Sequence, residues 1–405
     1  MRKRALIVGL GIAGMSAAIG LRAAGWTPVI VERAPARRRG GYFVGLMPEG
    51  RQAAVDLGIA EYLHTRNPAD EGAVWELNRH GKRRPGLGFL SQPGHPAAVL
   101  RGDIEEALWQ GLTREGVEPV EVRFGTSPAG IDDGADAVEV LLDDAATGAR
   151  YRESFNLVVG ADGLRSGVRR TVFGPHEDHM TKWNAMICAF QLPDQVPSYG
   201  AEDSVITARA GRAAWVFGFA DQPPTALLTY RTTDIDGQFA GDRVERLRTV
   251  FSGMDDPVVR YVLDSLEEAP DHLFDSVHQV KMERWSKGRT VLVGDAAWCM
   301  NLYSGMGATT ALQGGAELGK ALRGHPDDLA AALADWEAGL RPAVRKHQRI
   351  ARVKQQMFVP SSRRAEVIRS GVLRLARKAR DRQAAKRRAT APRPEEQLPA
   401  TAGRS

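Results

Sequence analysis

Apolar and polar positions fall into three regimes along the chain. At the front, Ala5 to Val8 is a short apolar run that reads as a strand. Met15 to Ala24 carries good helix formers and stops at Gly25. Thr27 to Val31 is a second apolar run, closed by Glu32. Two later runs, Leu157–Val159 and Thr290–Val293, are unbroken, as expected of strands covered on both faces. From about Trp183 the pattern switches to alternation. Met186, Cys188, Phe190 and Leu192 share one face; Trp215, Phe217 and Phe219 share another; "ALLTYRTT" follows a Pro223-Pro224 turn. A period of two predicts antiparallel strands. Gly72 to Gly88 is expected to add strands to that sheet. Val120–Phe124 and Ala137–Asp143 read as a hairpin-rich insertion.

Helical stretches interleave with these. Asp103 is the expected N-cap of a helix reaching Leu112, with Glu105 and Glu106 in its favoured first turn. Ala308–Leu322 follows the Gly305-Met306-Gly307 turn. Asp327 is the expected cap of a helix running toward Met357, bent or broken near Pro342. Beyond Val359-Pro360-Ser361-Ser362, a basic helix is predicted over about 364–388, with Ile368, Val372, Leu375 and Ala379 at helical spacing on one face. A docked helix, a dimer contact and an arm on an anionic membrane all fit it. The narrow stripe favours docking with a frayed end. Residues 390–405 have the composition of a disordered tail.

Length and composition narrow the class. A chain of 405 residues, 43% hydrophobic and 26% charged, suits two linked globular domains. No apolar run reaches membrane-spanning length, and the one near the N-terminus is too short for a signal peptide. Cys188 and Cys299 form no CxxC pair, so neither a disulfide framework nor a thiol metal site is expected, and a reducing cytoplasm fits. The nine histidines make no ligand cluster, and no metal is implied. The net charge is +6, yet the segment from Arg363 to Arg388 alone holds eleven Lys/Arg against Glu366 and Asp381. The basic excess is therefore a tail property, and nucleic acid is not an expected partner.

The candidate chemistry starts at Gly9, Gly11 and Gly14, a GxGxxG between a strand and a helix. Gly9 permits the turn, Gly11 lets backbone approach a pyrophosphate, and Gly14 lets helix and strand pack closely. Ile12 and Ala13 open the helix, whose free N–H groups and partial positive charge suit phosphates. Glu32 follows at the spacing of a ribose-binding acid. The fingerprint alone does not separate FAD from NAD. Three further landmarks come in order: Arg101 ahead of a helix, the "GADGLRSGVRR" turn with Asp162, and "LVGDAAWCMNLYSGMG" with Asp295 past a strand end, where open α/β sheets bind ligands.

In this order the landmarks resemble those of the class A flavoprotein monooxygenases, the p-hydroxybenzoate hydroxylase superfamily, over roughly residues 1 to 360. Actinobacterial aromatic hydroxylases and tetracycline-destructase-like enzymes are the most similar in type. The resemblance implies an α/β fold: a Rossmann-like FAD-binding domain (GR2-type), an interleaved antiparallel-sheet substrate domain, and C-terminal helices. It places the FAD-binding parts at 1–70, 99–178 and 281–360. Substrate-domain segments fall at 71–98 and 179–280, a basic C-terminal helix at 361–389, and a tail at 390–405.

By the same resemblance Asp295 holds the ribityl chain of FAD. Gly305, Met306 and Gly307 face the flavin's pyrimidine side. Glu32 takes the ribose, Arg33 lies over the adenine, Arg101 reaches the phosphates or ribityl region, and Asp162 contacts FAD and NAD(P)H. Ser166 and Arg169 anchor its turn. Arg38 or Arg39 contacts phosphate. Trp215, Phe217 and Phe219 are expected to reach the substrate. Two positions depart from the family pattern: Trp298 and Leu302 stand where His and Pro are common, and Gln313-Gly314-Gly315 stands where an acidic pair is common.

The implied activity is an FAD-dependent monooxygenase using NADPH or NADH and O2, through a flavin C4a-hydroperoxide, to hydroxylate or epoxidise an aromatic or polyketide-like molecule. No single side chain is assigned as catalytic. Two alternatives share every FAD contact: an FAD-dependent dehydrogenase or reductase, and a non-redox cyclase or binding protein that retains flavin. A monomer or a homodimer fits equally.

Overall fold

The computed structural model describes residues 2–37, 40–69, 72–92 and 94–390. Its first layer is a six-stranded sheet. The order is Ser286–Lys287, Thr290–Leu292, Leu157–Gly160, Arg4–Val8, Thr27–Glu32 and Glu121–Phe124. All neighbours are parallel except the first pair. The apolar runs at its centre are buried on both faces. Register decides the rest: Val8 lies opposite Gly160, and Gly160 opposite Leu292. The GxGxxG, GADG and GD turns, far apart in sequence, therefore leave the sheet side by side at one edge. Val120–Phe124, expected in a hairpin-rich insertion, instead supplies the strand Glu121–Phe124 of this sheet. It pairs in parallel with Thr27–Glu32 and extends this sheet. The insertion is three-stranded, from Thr126–Asp133, Val138–Asp144 and Arg150–Phe155.

Glycine brings the covering helices close. A Cβ on Gly20 would meet the Gly315 carbonyl oxygen at 2.3 Å, and one on Gly319 the Gly20 oxygen at 2.4 Å. Helices Ile12–Ala23 and Gly307–Gly324 thus cross backbone to backbone. This accounts for glycine where an acidic pair is common: a side chain at Gly315 would strike Ser16 at 2.3 Å.

The second layer is a seven-stranded sheet. Its order is Leu273–Val280, Met180–Gln191, Thr225–Arg231, Arg212–Phe217, Ser204–Arg209, Val74–Leu77 and Arg83–Pro85. It is antiparallel except where Ser204–Arg209 meets Val74–Leu77. The alternation resolves its two faces. Met186, Cys188, Phe190 and Leu192 pack against helices Arg243–Phe251 and Pro257–Glu268. Ile187, Ala189, Trp215 and Phe217 occupy the other face with Tyr303 and Phe358.

Three helix expectations shift. The helix Arg101–Thr113 starts two residues before Asp103. Asp103 caps it from inside: its carboxylate accepts the Leu100 N–H at 2.8 Å and takes both ends of the Arg66 guanidinium at 2.7 and 2.8 Å. Asp328, not Asp327, caps the helix Leu329–Phe358, accepting the Ala331 N–H at 2.9 Å. That helix runs unbroken through Pro342. Trp336, Leu340 and Val344, all buried on either side of it, hold both halves to one core against the roughly 3 kcal/mol that an interior proline costs.

The C-terminal helix Arg363–Thr390 docks by its polar edge, not its apolar stripe. Arg369 is buried, pairs with Glu76, and donates to the Met357 carbonyl at 2.6 Å. Glu366 accepts the Ala210 N–H at 3.1 Å. The expected tail at 391–405 lies outside the described residues.

Candidate functional site

At the edge where the three turns meet, a cavity of about 370 Å³ opens between the two sheets. Its floor is backbone. Gly9 has φ +107°, and a Cβ there would meet the Ala161 oxygen at 2.6 Å; on Gly14 it would meet the Gly9 oxygen at 1.9 Å. These two positions only accept glycine, because at Gly9 the first turn is pressed into the second and at Gly14 the helix start is pressed onto the turn itself. Gly11 is different. A Cβ there would meet only the Arg101 guanidinium, at 3.8 Å, so the space above it belongs to the cavity, which Gly11, Ile12 and Ala13 line.

Two helices begin on this floor, Ile12–Ala23 and Gly307–Gly324. Neither start has a side-chain cap or an acid in its first turn. Their free N–H groups and partial positive charges are thus left for a ligand. Gly305 and Gly307 line the cavity; Met306, between them, is buried below.

Asp295 lies between these helix starts. Gly294 before it has φ +62°, and a Cβ there would meet the Ala13 side chain at 2.6 Å, which locks the GD turn against the first. Asp295 is exposed, and it lines the cavity. Burial pushes its carboxyl above the usual range, opposed by the neighbouring Cys299 thiol and the Arg101 charge. The Cys299 thiol is itself pushed well up, first by burial and then by Asp295, and stays protonated.

The second turn is fastened to the third through one buried side chain. Arg169 donates to the Ala296 carbonyl at 2.8 Å and the Leu164 carbonyl at 2.7 Å. Its backbone N–H meets Ser166 Oγ at 2.9 Å. Asp162 closes the same knot: it accepts from Ser166 Oγ at 2.5 Å and from the Gly167 and Val168 N–H groups at 2.6 and 3.1 Å. Its carboxylate is spent on the start of the Gly167–Val172 helix, while Ala161, Gly163 and Leu164 around it line the cavity.

Glu32 accepts the Leu10 N–H at 2.9 Å and the Ala34 N–H at 2.8 Å, which fixes the carboxylate beside the first turn. Arg33 is exposed next to it. Arg101 lines the cavity with its guanidinium paired to Glu105 at 2.6 Å. Arg38 and Arg39 lie outside the described residues.

The roof is side chains. Phe217 stacks on Phe43 with centroids 4.2 Å apart, and both line the cavity with Phe89 and Phe358. Trp215 lies one layer back, stacked on Phe358 at 4.5 Å. Phe219 packs away from the cavity with Ala98 and Leu100. The strand leaves the sheet after Phe217, so its alternation stops pointing Phe219 the same way.

Several cavity residues carried no sequence signal. Tyr42 lines it, its phenol pushed up by burial and therefore protonated. His278 lines it, held below its ordinary value by burial and neutral at pH 7. Asp275 is held by Arg165 at 2.7 and 3.1 Å. Asn301 has φ +61°, a left-handed conformation rare for a side-chain-bearing residue. Its Oδ1 accepts the Tyr303 N–H at 3.0 Å and its Nδ2 is buried without a partner. A non-glycine residue at positive φ one place before Leu302 has no pattern that a sequence displays.

The two departures in this loop point opposite ways. Leu302 lines the cavity. Trp298 turns inward against Trp285 at 4.5 Å and Trp336 at 5.8 Å, over Gly314, where a Cβ would meet its ring at 3.0 Å. Bare Gly314 makes room for the large ring, so the substitution is absorbed by the core behind the floor.

Comparison with known proteins gives the same picture. Residues 2–222 match the family described as FAD binding domain. An uncharacterised protein of Mycobacterium tuberculosis is 31% identical over 364 residues, covering 85% of this chain and 92% of that protein. A flavin-dependent monooxygenase of Legionella longbeachae is 26% identical over 352 residues, covering 85% and 86%. Among solved structures, the tetracycline destructase Tet(55) superposes with a TM-score of 0.75 at 24% identity, covering 92% of this chain and 95% of that one. The last likeness is one of fold.

Proposed function

The chain belongs to the FAD binding domain family, and on that premise we propose that it is an FAD-dependent monooxygenase. It uses NADPH or NADH and O2 to hydroxylate or epoxidise an uncharged aromatic or polyketide-like molecule. The observation that carries this reading is the convergence of three strand-end turns and two uncapped helix starts beneath an aromatic roof. The open space over Gly11, beside the Arg101 guanidinium, fits a pyrophosphate.

The chemistry FAD supplies when bound is hydride acceptance from a nicotinamide and activation of dioxygen. The chain's residues bind and orient it. Gly9, Gly11, Ile12, Ala13 and Gly14 form the phosphate cradle, with Arg101 beside it. Glu32, already fixed by two N–H groups, accepts ribose hydroxyls, and Arg33 covers the adenine. Asp295 accepts hydrogen bonds from the ribityl hydroxyls. Gly305, Met306 and Gly307 would hold the flavin ring at the second helix start, whose partial positive charge would stabilise negative charge on it. Asp162 acts from behind, by holding its turn. The FAD-binding part is then assembled from 1–70, 99–178 and 281–360, and the substrate part from 71–98 and 179–280.

The roof defines the substrate. Phe43 and Phe217 offer stacking faces to a planar ring. Among the described residues the lining holds one arginine, Arg101, and it is committed to Glu105. A carboxylate or phosphate would therefore enter an apolar space without a counter-ion, which is costly. With two buried, unpaired cysteines, a cytoplasmic location fits; a monomer and a homodimer are both compatible with the site. No helix among the described residues is long and apolar enough to cross a membrane.

The test is turnover of neutral phenols and naphthols against their carboxylated counterparts, with NAD(P)H and isotopically labelled dioxygen. One labelled oxygen atom in a neutral product is expected. NAD(P)H-dependent reduction of a double bond with no oxygen incorporated would assign a reductase instead.

A further inference from the structure

The C-terminal helix has two faces that the FAD site does not use, and one of them is turned the wrong way for a docked helix. Val367, Ile368, Val372 and Leu375 are 66%, 65%, 47% and 68% exposed. They account for four of the eight large exposed apolar side chains of the described residues, within nine positions. Arg364, Arg374, Lys378 and Arg382 are exposed among them. The opposite edge is fastened: Arg369 to Glu76 and the Met357 carbonyl, Glu366 to the Ala210 N–H, Arg377 to the Pro85 carbonyl at 2.9 Å. The body thus grips the helix by polar contacts and presents an aliphatic stripe bordered by cations.

We propose that this outward face is a docking surface for an anionic lipid bilayer, on which the helix lies flat without crossing. Aliphatic side chains sink to the acyl boundary while the arginine and lysine stems reach back to phosphate headgroups. No helix among the described residues is able to span a bilayer, so the mode is adsorption. Charge complementarity selects this occupant over a second copy of the chain. Pairing the face with itself would crowd the Arg364, Arg374, Lys378 and Arg382 of two copies together, with Asp381 the one exposed acid beside them among the described residues. The site lies close behind: Arg369 sits 6.0 Å from the Trp215 ring centroid, and Trp215 stacks on Phe358, which lines the cavity. A membrane-partitioned apolar substrate would be concentrated at that end.

The test is co-sedimentation of the full-length, FAD-loaded protein with vesicles of phosphatidylcholine alone and of phosphatidylcholine mixed with phosphatidylglycerol, at low and physiological salt. Binding to the mixed vesicles only, weakened by salt, is expected. Neutralising Arg374→Gln and Lys378→Gln should each cost roughly fivefold in affinity. The pair Ile368→Ser and Leu375→Ser should cost roughly tenfold or more, with flavin absorbance unchanged. Equal binding to both vesicles, no binding to either, or indifference to the aliphatic pair would overturn the proposal. So would a dimer in sedimentation equilibrium that dissolves in that pair. The vesicle and salt comparisons decide even if a variant fails to fold.

Discussion

On the floor of the cavity, a Cβ on Gly9 would strike the Ala161 oxygen at 2.6 Å, one on Gly14 the Gly9 oxygen at 1.9 Å, and one on Gly294 the Ala13 side chain at 2.6 Å. On the roof, Phe89 and Phe217 meet Phe43 ring against ring, and Phe358 meets Trp215 and Tyr303. The floor is specified by backbone geometry and tolerates almost no substitution. The roof is specified by shape and tolerates any side chain that fills it. One consequence is that function at the roof is set by the side chains placed there, on a floor that the fold itself dictates.

Breaking the floor should have the largest effect. Gly14→Ala forces its new methyl into the Gly9 carbonyl, and should cost about 3 kcal/mol and most of the bound FAD; thermal melting and flavin absorbance per protein measure both. Next comes the knot behind the floor. Arg169→Met leaves the Ala296 and Leu164 carbonyls without donors and should destabilise by about 2–3 kcal/mol, with FAD released at lower denaturant than in the parent. A parent-like melt would show that the turns do not depend on each other.

Asp295 sharpens the comparison by separating binding from folding. Asp295→Asn should weaken FAD roughly tenfold or more, yet raise the melting temperature of the FAD-free protein at neutral pH. The sign follows from burial, which disfavours the ionised carboxylate and raises its folded value. The variant's advantage is full above that raised value, shrinks as the pH falls through it, and is gone below about pH 4, where both side chains are neutral. A melting difference that grows on acidification would contradict this. The smallest effects belong to the roof. Phe217→Ala should weaken an aromatic ligand roughly fivefold to tenfold while leaving FAD in place. Phe219→Leu, behind the wall, should leave the same ligand's affinity within twofold.

The same division explains what the sequence disclosed. The three turns were legible because glycine and aspartate at strand ends are required by local geometry. Their meeting at one edge follows from parallel register, which the unbroken apolar runs already imply. Glu121–Phe124 misled because an edge strand of a parallel sheet is half exposed and alternates like a hairpin strand. Asp103 misled by three residues, since Leu100 is the N-cap, because an acid inside the first turn and an N-cap leave the same mark. Phe219 shares its period with Trp215 and Phe217, but the strand ends before it. Trp298 and Gly314 are compensating changes 16 positions apart in number, visible only once the ring is seen to lie on the bare glycine. The C-terminal stripe had the spacing of a docked face. Its outward direction was decided by Arg369 and Glu76, 293 positions apart.

The measurement that tests the central claim most directly is the visible spectrum of the purified protein, taken without oxygen before and after NADPH or NADH, then with air readmitted. A flavin spectrum that bleaches with the nicotinamide, in the presence of a neutral aromatic ligand, and returns with oxygen is the predicted result. A protein that takes up no FAD, or whose flavin neither nicotinamide reduces with or without such a ligand, would contradict it.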